Sequence, residues 1–186
     1  IEFSPGEEDG LTFTESTVGG SVPKSFHPAV EKGLEECMKE GILAGYPVVK
    51  LRANLYDGSY HDVDSSEMSF KMAASIAFKE GTAQAQPVLL EPIGTLEVIV
   101  PSKKMGDIIG DLNKRRGSVM GMEPAEKKGY TVVQALAPKA ELMDYPIILR
   151  AMTQGRGSFE YTVNGYDTVP GNIAVKIVEN YKKENA

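Results

Sequence analysis

Val49-Lys50-Leu51-Arg52-Ala53-Asn54-Leu55-Tyr56-Asp57-Gly58-Ser59-Tyr60-His61-Asp62-Val63-Asp64-Ser65-Ser66-Glu67 passes from one kind of regular structure to another. Val49, Leu51, Ala53 and Leu55 alternate with Lys50, Arg52, Asn54 and Tyr56, the period of a strand with one apolar and one polar side. Asp64, with Glu67 three residues on, has the form of a capping box that opens a helix. In that helix Met68, Met72 and Ile76 share a face, and Phe70, Ala73, Ala74, Ala77 and Phe78 widen it, so burial on most sides is expected. Between strand and helix lies a loop turned by Gly58 and carrying His61, one of two histidines in the chain. Strand, rigid loop and helix in this order describe a mount for something presented to a partner.

Working outward, Ile1 to Phe3 reads as a strand end, followed by an acidic turn and a second strand from Leu11 to Thr17; together they predict a hairpin. His27-Pro28 starts a helix, with proline where its missing N–H is harmless, and Gly41 stops it. Pro87-Val88-Leu89-Leu90-Glu91-Pro92, bracketed by prolines, reads as a linker. Beyond it Leu96, Val98 and Val100 alternate, and Met105, Ile108, Ile109 and Leu112 mark a helix ending at Gly117. Two strands follow (118–122 and 130–137), then a helix from near Pro146, a strand over 158–166 and a terminal amphipathic helix. The order strand, helix, strand, strand, helix, strand is the split βαβ pattern of a ferredoxin-like domain. The fold class is therefore α+β in two domains, residues 1–90 and 91–186.

The net charge of −6 confines any nucleic-acid contact to local basic patches. One cysteine, Cys37, excludes an internal disulfide and a multi-cysteine zinc site, and no run of about 18 apolar residues offers a membrane span. A soluble cytoplasmic protein is expected. The chain opens at Ile1, within what reads as a strand, so a piece of something longer is expected too.

His61 stands beside Asp62, near Asp57, Asp64 and the hydroxyls of Ser59, Ser65 and Ser66. Nucleophile, base and acid are present by type, but triad members ordinarily arrive from separate elements. His-Asp-x-Asp supplies three ligand types for a metal with no evident fourth, and capping and turn formation are competing duties for those aspartates. No Gly-x-x-x-x-Gly-Lys-Ser/Thr occurs, and Gly155-Arg156-Gly157 follows a helix instead of leading into one, so no nucleotide-hydrolysing loop is present. The basic groups Lys103-Lys104, Lys114-Arg115-Arg116, Arg150 with Arg156, and Lys50 with Arg52 are either solvated faces or phosphate contacts.

Longer runs go further. Gly45-Tyr46-Pro47-Val48-Val49, Leu55 through Met68 and Ala77-Phe78-Lys79-Glu80 closely resemble the fourth domain of bacterial elongation factor G, the translocation GTPase. Pro87 through Ile93 resembles its junction with the next domain. Met105-Gly106-Asp107-Ile108-Ile109-Gly110-Asp111-Leu112-Asn113-Lys114-Arg115-Arg116-Gly117 and Leu149 through Gly157 are similar to its fifth domain.

The resemblance implies that residues 1–90 form a domain like the second domain of a small-subunit ribosomal protein, with a left-handed βαβ crossover, incomplete at its N-terminus. It implies a ferredoxin-like fold for the rest, in agreement with the order of elements. It also implies a parent whose GTP and Mg site lies in domains preceding Ile1 on the same polypeptide, leaving this part with no cofactor and no enzymatic activity of its own. The implied partners are both ribosomal subunits, and the tRNA and mRNA at the A site, with no DNA and no membrane. Gly58, Ser59, Tyr60, His61 and Asp62 would form an RNA-contacting tip; Lys114, Arg115, Arg116, Arg150 and Arg156 would touch the ribosome. Pro146 stands where the family leads one to expect a plain helix former, implying a later start or a kink. The activity implied is tRNA–mRNA translocation; alternatives are a ribosome-recycling or ribosome-protection paralogue, or a binding module unrelated to the ribosome.

Overall fold

The computed structural model describes residues 1–185, in two compact units. The first contains β1 (Glu2–Pro5), β2 (Leu11–Glu15), α1 (His27–Glu40), β3 (Leu51–Leu55) and α2 (Glu67–Gln84). Its sheet has the order β1-β3-β2, with β1 antiparallel and β2 parallel to β3. The expected β1–β2 hairpin is therefore absent: β3 is inserted between the two strands. Leu51, Ala53 and Leu55 are all buried, so β3 gains most from the central position. The acidic turn wraps around its start, where Gly6 N–H donates to the Lys50 carbonyl (2.6 Å) and Leu51 N–H to that of Gly10 (3.1 Å).

Parallel pairing has a consequence for function. Glu15 at the end of β2 lies opposite Leu55 at the end of β3. The segments that follow both strands thus leave the sheet side by side.

α1 begins at His27, with Pro28 in its first turn, and ends at Gly41, whose φ of 61° is left-handed. It packs on α2 through Gly33: a Cβ there would come within 2.8 Å of the Lys71 carbonyl oxygen. Such a close approach needs only a narrow stripe on α2, and the buried positions are Ala74, Phe78 and Thr82 at four-residue spacing. Met68, Met72 and Ile76 are 63%, 60% and 56% exposed, so the wide apolar sector read from the sequence is not a buried one. Phe3 meets Phe78 edge-on, with centroids 6.1 Å apart, and Val22, Val30, Leu34 and Met38 complete this core.

The second unit holds β4 (Leu90–Pro101), α3 (Met105–Lys114), β5 (Ser118–Pro124), β6 (Tyr130–Pro138), α4 (Tyr145–Thr153) and β7 (Ser158–Thr168). Its sheet is antiparallel in the order β5-β6-β4-β7, the ferredoxin-like arrangement. Leu96, Val98, Val100, Ile108, Leu112, Val133, Ala135 and Tyr145 are its closed core. Pro146 lies in the first turn of α4, which neither starts late nor needs a kink there. Arg116 (φ 58°) takes the left-handed position after α3, and Gly117 follows because a Cβ there would press on the Leu112 carbonyl oxygen at 2.8 Å.

The expected linker is shorter than the prolines suggested. Leu90, Glu91 and Pro92 already pair with β7, and Glu91 is buried. The last helix, α5 (Gly171–Glu184), groups with the first unit, where the Tyr181 ring covers Gly45.

Candidate nucleic-acid interface

The loop after β3 is fixed at its far end by capping chemistry. Ser66 is the N-cap of α2, its hydroxyl accepting from Ser69 N–H at 3.1 Å. The Asp64–Glu67 capping box is thus displaced by two residues: Asp64 contributes its carbonyl, which accepts from the Ser69 hydroxyl at 3.4 Å. One turn earlier, His61 N–H donates to Ser65 Oγ and Ser65 N–H donates to the His61 carbonyl, both at 3.0 Å. This reciprocal pair consumes the backbone polar groups of His61 and leaves its ring as the group on offer. The ring is exposed and makes no hydrogen bond among the described residues.

The near end is held by packing. Gly58 lacks positive φ, so its backbone does not demand glycine. Its requirement is spatial, because a Cβ would collide with Val22 Cγ2. Tyr60 leans on Phe26 with ring centroids 5.7 Å apart, and Phe26 stacks on Phe70 at 4.6 Å. The Asp62 carboxylate beside it, helped by desolvation, holds the Tyr60 phenol above its usual range. Gly58, Ser59, Tyr60, His61 and Asp62 therefore form one exposed, braced projection.

The Ser65 and Ser66 hydroxyls serve a turn and a cap instead of addressing the imidazole. Among the described residues, no group of three or more His, Cys, Asp or Glu side chains converges to hold a metal. The described helices include none long and apolar enough to cross a membrane.

The basic candidates divide into two kinds. Arg115 donates to Asp111 (2.7 Å), to the Glu141 carbonyl (2.6 Å) and to Asp144 (2.6 Å), and lies over the Tyr145 ring. Arg116 forks onto buried Glu91 (2.6 and 2.9 Å) and reaches Glu141 (2.8 Å). Both guanidinium groups are held even more firmly protonated, Arg115 chiefly by Asp144 and Arg116 chiefly by Glu91. Lys114, Arg150 and Arg156 are exposed, with no carboxylate within 4.0 Å among the described residues. Arg156 instead donates to Gln154 at 2.9 Å, beside the left-handed turn that ends α4.

Three residues that fix the tip, Val22, Phe26 and His27, carry no sequence signal for that role. Val22 and Phe26 precede α1 and His27 is its first residue, where periodicity has nothing to report. His27 is buried, and its Nε2 donates to the Val22 carbonyl at 3.1 Å.

Residues 1–86 match the model of elongation factor G, domain IV, and residues 88–177 match the model of the elongation factor G C-terminus. The chain is similar to the crystal structure of ttk003000868 from Thermus thermophilus, at 40% identity with a TM-score of 0.82. That similarity covers 97% of this chain and 27% of the other. The chain belongs to the elongation factor G family.

Proposed function

We propose that this chain is the ribosome-contacting part of a translational GTPase that promotes movement of tRNA and mRNA. The observation that carries the reading is the tip: on a unit matching domain IV, an exposed histidine ring projects from a loop whose backbone is closed by its own hydrogen bonds. Such a group acts by position. His61, supported by Ser59, Tyr60 and Asp62, engages single-stranded or unstacked RNA at the A site through hydrogen bonding and stacking, a mode suited to RNA.

Of the five basic candidates, Lys114, Arg150 and Arg156 are free to meet phosphate, each adding a salt-dependent increment without sequence reading. Arg115 and Arg116 support them from within by keeping the second unit rigid. GTP hydrolysis with Mg belongs to other domains of the longer cytoplasmic protein, since this chain has no phosphate-binding loop. His61→Ala in that protein, assayed by single-round translocation, is expected to slow movement while leaving ribosome-stimulated GTP hydrolysis intact. An unchanged translocation rate would overturn the assignment of the tip.

A further inference from the structure

We infer that the segment from Ser16 to His27 is the positioning element of the tip: Val22 and Phe26 are its two points of contact, and His27 is the group that locks Val22. The inference rests on the reading of the tip given above and adds residues that lie more than 30 positions away in sequence. Parallel β2 and β3 bring the segment and the loop out of the same sheet end, with Ser16 N–H bonded to the Leu55 carbonyl at 2.9 Å. The two contacts then straddle Ser59: Val22 lies against Gly58, and Phe26 against Tyr60.

Local bonds leave this part of the loop to be placed from outside. Among the described residues, the stretch from Asp57 to Tyr60 is held locally by the bond from Gly58 N–H to the Asp57 carboxylate, at 2.8 Å. Val22 itself is fixed, being 2% exposed and held through its carbonyl by His27. That bond sets the tautomer, Nε2 carrying the proton, and turns Nδ1 toward Glu15 Oε2 at 4.0 Å. His27 thus ties the Val22 turn to the start of α1. The outer part of the same segment stays free, with Val18 exposed and Gly19 and Gly20 in left-handed conformations.

Steric rescue tests the coupling. Gly58→Ala places a methyl group into Val22, and Val22→Ala removes the Cγ2 that it meets. In the 186-residue chain, Gly58→Ala should shift and broaden the amide resonances of Tyr60, His61 and Asp62. Gly58→Ala/Val22→Ala should return them toward their original positions. In the longer protein, Gly58→Ala should slow single-round translocation about tenfold to a hundredfold, the scale expected when a working group is displaced by about 1 Å. The double variant should recover most of the loss.

Two outcomes overturn the inference. One is a Gly58→Ala variant whose tip resonances stay in place. The other is a double variant no closer to the original than Gly58→Ala, since independent sites add and coupled ones do not. Should His61→Ala leave translocation unchanged, the functional reading of the tip fails; the resonance comparison still decides whether this segment positions it.

Discussion

Replacing Arg116 by methionine removes a charge from the root of β4 and leaves Glu91 with no cation in its pocket. The Glu91 side chain is 9% exposed and receives both arms of the guanidinium fork, so it loses its compensation where water is scarce. Breaking a buried ion pair from one side costs about 3–5 kcal/mol. Here the arginine is 26% exposed and its second partner Glu141 33%, so solvent screens part of the loss, and about 2–3 kcal/mol is expected. For a unit of about 80 residues that corresponds to a fall in Tm of roughly 10–20 °C. Scanning calorimetry of Arg116→Met, Glu91→Gln and the double variant measures it. The double variant should recover at least about 1 kcal/mol relative to the sum of the singles, because the unpaired charge is gone. A loss below about 0.5 kcal/mol for Arg116→Met, or strict additivity, would refute the claim that these arginines are internal braces.

Ser66→Ala should cost about 1 kcal/mol by removing the cap of α2, while Asp64→Ala should cost a few tenths, as chemical denaturation will report. Gly33→Ala drives a methyl into the Lys71 backbone and should destabilise the first unit by about 1–3 kcal/mol in the same assay. The Arg115 guanidinium holds Asp144 below the usual carboxylate range, and Lys71 does the same for Glu36. A carboxyl with a depressed folded pKa contributes stability that is present above its unfolded pKa and lost as pH falls through the folded value. Asp144→Asn should therefore flatten the acid limb of a stability–pH profile below about pH 4.

The second unit is largely legible in the sequence. Its strands alternate cleanly because one face of the sheet is covered, and Leu96, Val98 and Val100 fall in its core as the alternation requires. The first unit is legible in its elements but not in their pairing. Nothing local to Leu11–Glu15 says that its partner is β3, some 40 residues on, so a hairpin is the natural and mistaken inference. The α2 face fails for a related reason: periodicity reports that Met68, Met72 and Ile76 align, whereas α1 decides which face is covered. The same limit applies to charge, since Lys114-Arg115-Arg116 is a single basic run in sequence. The turn after α3 sends Arg115 and Arg116 to carboxylates brought in from β4 and from the segment before α4. For the tip, the exposed residues can be named from the sequence, but not the Val22–Phe26–His27 support, which exists only where the stretch leading into α1 meets the loop after β3.

On the function proposed above, the His61 ring is the group on which translocation by this loop depends most directly. Single-round translocation, followed by fluorescent mRNA in the longer protein carrying His61→Ala, tests that dependence, with ribosome-stimulated GTP hydrolysis measured in parallel. The prediction is a translocation rate lower by at least about tenfold, equivalent to ~1.4 kcal/mol of activation free energy, with hydrolysis unchanged. Translocation at the original rate would contradict the reading of this loop as the working tip.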